Sequence, residues 1–483
     1  MILTILVLTL LALAGVLLHR AWRLGGPAAE LPAPADHPVD AEAAIGRLAA
    51  LLRVPTISWQ ESERFDPEAF RQLHRLLAQE FPRVHAALQQ ETIAGLSLLY
   101  SWPGSEPSLA PILLMAHQDV VPVPSETAGE WSHPPFGGEI ADGFLWGRGA
   151  LDFKSALAAI LEGAETLLAA GFQPRRTIYL AFGHDEEVGG AGNRAIAAEL
   201  AQRGIRLALV LDEGGSVVER IVPGVVGPVA LIGIAEKGYL SLELTARGEG
   251  GHSSMPPAET AIGTLAQALR RLEERPFPAR LDLVGQMFAA LGCRLSFPYW
   301  LIFANLWLFA PLAVWRLSRM PATNAALRTT VVPTLLYAGV KENLLPQAAT
   351  ATVNLRLMPG ETVAQTIDRV KEIIADPRLE IRPGPIRSEA SPVADHRSPA
   401  FALLARSIRQ VDPQSVVAPF LVVGATDSRH YAGLADQVLR FAFLHLGPDD
   451  LKRIHGTDER IHIADYRQMV RFFIQLLENL QEL

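Results

Sequence analysis

Five short stretches put histidine or carboxylate side chains where an apolar run stops. Met115-Ala116-His117-Gln118-Asp119 follows one such run, and Trp146-Gly147-Arg148-Gly149-Ala150-Leu151-Asp152-Phe153-Lys154 is a Gly-rich turn that carries Asp152. Phe182-Gly183-His184-Asp185-Glu186-Glu187-Val188-Gly189-Gly190 carries paired glutamates. Leu211-Asp212-Glu213-Gly214-Gly215 ends another run, and His455-Gly456-Thr457-Asp458-Glu459 lies far along the chain. His117 and Asp119 are two apart, so in extended chain they face one side. A carboxylate so placed suits the partner that a metal-bound imidazole takes through its other N–H. Each piece alone has an ordinary reading. A strand-end Asp often caps a helix, a Glu-Glu pair is usually a solvated face, and a single His usually belongs to a surface turn. Gathered together, buried carboxylates would repel unless positive charge lay among them. A pair of divalent cations supplies that charge. Imidazole and carboxylate without thiolate suit catalytic zinc, or cobalt or manganese, more than a structural site.

The elements that must position these residues follow from periodicity. Ala41–Leu52 and Pro67–Glu80 have helical spacing of apolar residues, and Phe153–Ala170 reads as a long Ala/Leu helix closed by Gly171. Ser97–Trp102, Pro111–Ala116, Thr177–Phe182 and Leu207–Leu211 are short apolar runs expected to be buried strands. Strands alternating with helices predict an α/β class with a largely parallel sheet. In such sheets functional groups collect where strands end. The texture then changes. A strand is expected over Val229–Ala246, a helix over Ala258–Leu272, strands over Val331–Val340 and Ala349–Leu357, a helix over Thr362–Ile374 and a strand over Leu379–Arg382. That β-α-β-β-α-β order predicts an inserted α+β unit. The expected organisation is an apolar segment at 1–24, a linker at 25–40, a first catalytic part at 41–228, an inserted unit at 229–385 and a second catalytic part at 386–483.

Bulk composition excludes several classes. The chain has 483 residues, 49% hydrophobic and 19% charged, enough for a large packed core. Lys plus Arg number 43 against 51 Asp plus Glu, a net charge of −8, so no basic surface dominates and a nucleic-acid partner is not expected. The lone cysteine, Cys293, can form neither an intrachain disulfide nor a thiolate metal site by itself. Ile2–Leu18 is uncharged and Leu-rich, close to the ~17-residue lower limit for a membrane span. Two readings compete: an uncleaved single-pass anchor, and a signal peptide cut near Ala12-Leu13-Ala14. The absence of Lys or Arg before the run favours the anchor, and Arg20 and Arg23 after it favour a cytoplasmic body on a positive-inside count. Leu295–Trp315 is also uncharged and long enough to span. A single crossing there would separate His455 from the other candidate ligands, and Pro298 and Pro311 interrupt a straight helix. It is expected instead to lie within the inserted unit, either as a pair of short helices packed on the lid or at a dimer contact, or as an exposed apolar surface that rests on a bilayer or receives a fatty acyl chain.

Six ordered motifs, H-Q-D, G-R-G-x-x-D-x-K, D-E-E-x-G-G, L-D-E-G-G, G-H-S-S-x-P and H-G-x-D-E, resemble those of the ArgE/DapE/carboxypeptidase S family of zinc metallopeptidases and aminoacylases. The D-E-G-G form and the apolar N-terminus look most like its carboxypeptidase S and N-fatty-acyl-amino-acid hydrolase branch. The resemblance covers nearly all of the chain after the linker, and it implies a dizinc catalytic domain with an inserted lid and dimerisation domain. It implies two Zn2+ per subunit, with His117 and Asp212 on one ion, Glu187 and His455 on the other, and Asp152 bridging. Glu186 would be the general base and Asp119 the partner of His117. His252, in Gly250-Gly251-His252-Ser253-Ser254-Met255-Pro256, would reach the site across a homodimer interface. Asn343, Arg356 and Gly424 would contact substrate, Arg356 by gripping a carboxylate. His462 falls outside the motif. The implied substrates are N-acyl amino acids or short peptides with a free carboxylate. The alternatives are an N-acetylated biosynthetic intermediate, or a binding module that kept the fold without the chemistry.

Overall fold

The computed structural model describes residues 1–24, 33–34 and 39–483, so the linker expected at 25–40 falls mostly outside the described residues. Helices Ala41–Leu52 and Pro67–Glu80 form as expected. Asp40 and Asp66 start them, each carboxylate accepting a backbone N–H of the first turn, and Pro67 adds a pre-set φ. Helix Lys154–Ala169 is buried on nearly all sides, between the large sheet and the C-terminal helix Ile463–Asn479. Its Ala, Leu and Gly content allows that. A Cβ on Gly163 would stand 3.3 Å from the Ile474 backbone nitrogen.

The large sheet has ten strands. Ile112–His117 lies between Ile178–Gly183 and Leu207–Asp212, parallel to both. Leu207–Asp212 is in turn parallel to Ala435–Arg440. Near-continuous apolar runs suit strands covered on both faces. The strand ends carrying His117, Gly183 and Asp212 therefore reach one edge, the carboxyl edge where such sheets hold ligands.

The inserted unit begins later than residue 229. Val229–Glu236 stays in the large sheet, buried along its length and parallel to Val416–Val422. Past Lys237 the chain enters a four-stranded antiparallel sheet, in the order Thr330–Ala338, Ala348–Leu357, Gly238–Arg247, Leu379–Ser388. The one strand expected over Val229–Ala246 is thus two strands in two sheets. With helices Ala261–Glu274 and Val363–Ile374 this lid has the expected β-α-β-β-α-β order and a core of its own, including Leu242, Leu265, Val353 and Val370.

Leu295–Trp315 forms two helices, Phe297–Ala304 and Leu306–Leu317, broken at Asn305. Its assignment to the lid needs correction. Helix Asp282–Ala290 packs on strand Val416–Val422 of the large sheet. Leu283, Met287, Phe288, Phe303 and Leu317 accordingly join the large sheet's core, not the lid's. The segment lies between lid elements in sequence and against the catalytic body in space. Ile2–Arg23 is the one stretch of helix, among the described residues, long and apolar enough to cross a membrane.

Candidate metal centre and substrate cavity

His117 is buried at the end of its strand, with Nδ1 2.9 Å from the Asp119 main-chain oxygen and 3.4 Å from Asp119 Oδ1. That turns Nε2 into the cleft, 3.0 Å from Asp152 Oδ1 and 3.6 Å from Glu213 Oε1. The other Asp152 oxygen, Oδ2, lies 2.9 Å from His455 Nε2, which is 3.1 Å from Glu187 Oε1. Asp152 thus stands between two histidines and offers one oxygen to each. The donors fall into two triads whose ligand atoms lie within 4.8 Å of one another: His117, Asp152, Glu213 and Asp152, Glu187, His455. Glu186 completes a third overlapping set with His117 and Glu187.

Asp119 does more than face His117. Its two carboxylate oxygens accept the backbone N–H groups of Glu186 and Glu187, each at 3.1 Å. One buried side chain thereby ties the His117 strand to the turn that carries both glutamates.

Asp212 sits differently from the expectation. Its Oδ2 accepts the Ser428 N–H at 2.8 Å, and it belongs to none of the three donor sets. Glu213, the next residue, supplies the carboxylate near His117. Asp212 is the last residue of its strand, and Glu213 is the first beyond the sheet edge, where the cleft opens.

Glu459 also escaped the sequence reading, although it closes the His455 motif. Fully buried, its Oε1 accepts from the N–H groups of Gly149, Leu151 and Asp152, and its Oε2 from Arg148 Nη1 at 2.6 Å. It clasps the Gly-rich turn to the His455 loop. The signal available in sequence was an acid closing one motif and an Arg inside another.

Electrostatics show how much positive charge this cluster calls for. Burial, reinforced by Glu213 and Asp427, pushes Glu186 well above the usual carboxylate range. Burial also raises Glu213 strongly, against the pull of His117 and with further push from Asp152, Asp212 and Glu187. Burial works to raise Asp152 as well, yet hydrogen bonds from His117 and His455 hold it below its ordinary value. Hydrogen bonds to Asp152 and Glu187 lift His455 to about 10. Retained protons stand in for positive charge among crowded carboxylates. The donor chemistry, imidazole plus carboxylate in two triads sharing Asp152, fits two divalent cations.

A cavity of about 1550 Å3 opens from the cluster. Asp152, Glu186, Glu187, Glu213 and His455 line it, with Leu283, Val284, Met287 and Phe288 forming an apolar wall. Arg356 lines it from the lid, its guanidinium 4.7 Å above the Tyr239 ring, and among the described residues no carboxylate lies within ion-pair distance. Gly424 and His430 also line it. Nothing stands within 4 Å of where a Gly424 Cβ would be, so packing does not demand glycine there. His252 and Asn343 lie elsewhere. They sit on a two-stranded ribbon in which Gly251–His252 pairs with Leu344–Leu345; both are exposed, and neither lines the cavity. Within one chain they do not meet the cluster.

Residues 113–479 match the model of peptidase family M20/M25/M40. The chain is 42% identical to a probable carboxypeptidase S-like 2 of Dictyostelium discoideum, over 90% of this chain and 85% of that one. It is 38% identical to the human N-fatty-acyl-amino acid synthase/hydrolase PM20D1, over 89% and 86%. It is 30% identical to carboxypeptidase S of Saccharomyces cerevisiae, over 92% and 85%. Among solved structures, the M20 family metallo-carboxypeptidase Sso-CP2 of Sulfolobus solfataricus shares the fold with a TM-score of 0.65 at 17% identity, over 91% of this chain and 99% of that one.

Proposed function

The chain belongs to peptidase family M20/M25/M40 and is a metal-dependent hydrolase of amide bonds in N-acyl amino acids or short peptides; we propose that its own substrates are N-acyl amino acids with a long apolar acyl chain and a free α-carboxylate, cut at a dizinc centre. The observation that carries this reading is Asp152, one oxygen toward His117 and the other toward His455, lining a large cavity with an apolar wall. In this reading His117, Asp152 and Glu213 hold one ion, and Asp152, Glu187 and His455 hold the other. Bound zinc would polarise the amide carbonyl and acidify the attacking water. Glu186, fixed through its backbone N–H by Asp119, takes the proton of that water and returns it to the leaving nitrogen. A carboxylate raised above its ordinary range suits a group that both accepts and donates a proton. Arg356 grips the substrate carboxylate through its planar fork.

Cavity size supports this reading over the acetylated-intermediate alternative. Small-ligand pockets typically occupy ~300–1,000 Å3, and the 1550 Å3 here far exceeds what an acetyl group needs. The human relative's name points to fatty acyl chains in the same way. His252 and Asn343 enter from a second copy of the chain in a homodimer, which their exposure on the lid supports. Ile2–Leu24 is read as a single-pass membrane anchor on the strength of its length and apolarity. The test is metal analysis of the purified protein with an amino-acid release assay over a series of acyl lengths. Absence of bound metal, or release that peaks at acetyl and vanishes at long chains, overturns the reading.

A further inference from the structure

We infer that helices Phe297–Ala304 and Leu306–Leu317, together with the end of the N-terminal helix, form a surface that rests on a bilayer containing anionic lipid. Phe303, Ala313 and Leu317 turn inward, while Phe297, Trp307, Leu308, Leu312 and Trp315 stay exposed. Five exposed large apolar side chains on one short helix pair are more than water usually meets without a partner.

The exposed apolar helix Ile2–Leu24 docks its far end on this pair. Arg20 Nε donates to the Ala304 main-chain oxygen at 3.3 Å, Asn305 Nδ2 donates to that of Leu17 at 3.1 Å, and Ala21 is fully buried. The apolar run of the N-terminal helix therefore stops level with the break at Asn305. A bilayer that holds Ile2–Leu18 has its boundary against the aromatic pair.

Charge points the same way. From Leu283 to Arg328 the chain carries no Asp or Glu, only Arg294, Arg316, Arg319 and Arg328, although acids outnumber bases over the whole sequence. The N-terminal helix likewise has Arg20 and Arg23 and no acid. Arg319 holds its guanidinium 3.8 Å over the Trp315 ring. An indole at headgroup depth beside a cation that reaches lipid phosphate is the arrangement expected at an anionic membrane surface.

The surface is also one helix away from the cavity. Phe288 lines the cavity and stacks on Phe303, ring centroids 3.7 Å apart. Resting on the acyl-chain reading above, this places the acyl end of the cavity toward the membrane, so lipid-like substrates arrive from the bilayer side.

The test uses the full chain in vesicles of phosphatidylcholine with phosphatidylglycerol. In a Cys293→Ser background, nitroxide labels go on Trp307→Cys, Leu312→Cys and, as a control on the lid, Arg270→Cys. Labels at 307 and 312 are expected to collide with oxygen more than with a water-soluble nickel chelate, and the label at 270 to do the reverse. Nickel reaching 307 and 312 as freely as 270 overturns the inference, and so does spin–spin broadening that shows a second copy packed there. A paired Trp307→Glu/Leu312→Glu variant should lower turnover of vesicle-borne long-acyl substrate by roughly tenfold or more while sparing a soluble short-acyl one. An unchanged ratio of the two also overturns it. The label measurement needs no turnover, so failure of the acyl-chain reading leaves it standing.

Discussion

Asp212 and Glu213 are neighbours, and their carboxylates point into different surroundings. Asp212 accepts the Ser428 N–H, and Glu213 lies 3.6 Å from His117. Sequence spacing could identify the strand end but not which of two adjacent acids faces the cleft. Metal content of variants separates them. Asp152→Ala is expected to lose both ions, Glu213→Ala one, and Asp212→Asn neither; elemental analysis that finds Asp212→Asn short of an ion while Glu213→Ala keeps two reverses the assignment. Glu186→Gln should retain both ions and lose roughly 10²-fold or more in kcat, since general-base catalysis contributes about 10²–10⁴. Near wild-type turnover would mean that another group moves the proton. Arg356 calls for a comparison of substrates. Arg356→Ala should weaken a free-acid substrate by ~2–5 kcal/mol, the usual cost of stranding a buried charge, and barely touch the matching amide. Equal losses on the two would remove Arg356 from carboxylate recognition. His117, Asp152, Glu186, Glu187 and His455 were legible through the ordered motifs that carry the family resemblance, and the structure brings these five side chains into one cluster.

At the scale of elements, the Gly-rich turn and the His455 loop are separated by some three hundred residues yet behave as one piece. Glu459 joins them, accepting from three backbone N–H groups and from Arg148. Both side chains are almost fully buried. Removing one partner of such a pair typically costs ~3–5 kcal/mol. Glu459→Gln should therefore lower the unfolding free energy by about that much, read as a lower denaturant midpoint with the slope unchanged, and should release metal, because Asp152 loses the anchor for its own N–H. A stable variant with full metal content would show that the clasp is dispensable. The elements themselves were largely readable: strand and helix spans in the first half match within a residue or two. The misreadings share one physical origin. Periodicity records that Val229–Glu236 and Leu295–Trp315 bury apolar faces, but not against which body. Both lie beside or inside lid sequence, and both pack with the large sheet.

The whole molecule has two bodies, each with its own core, and two substrate-site candidates stranded on the lid. His252 and Asn343 share the exposed ribbon and line no part of the cavity. Nearby, strand Thr330–Ala338 forms an edge of the lid sheet and leaves Val332, Leu335, Leu336 and Tyr337 exposed. An uncovered apolar edge of that length is a template for pairing with another strand. Under twofold symmetry the same edge on a second copy is a matching partner. Such a dimer would carry His252 of one copy toward the cleft of the other, where an imidazole N–H stabilises negative charge on the carbonyl oxygen. Co-expression of two tagged chains tests this directly. His252→Ala and Glu186→Gln are each expected to be nearly inactive as homodimers. A purified mixed dimer has one site that combines native Glu186 of the first chain with native His252 of the second. It should recover about half of the wild-type rate, one complete site of two. A mixed dimer as inactive as its parents, or a chain that stays monomeric while hydrolysing substrate at full rate, would place His252 outside the reaction and leave the lid ribbon as surface.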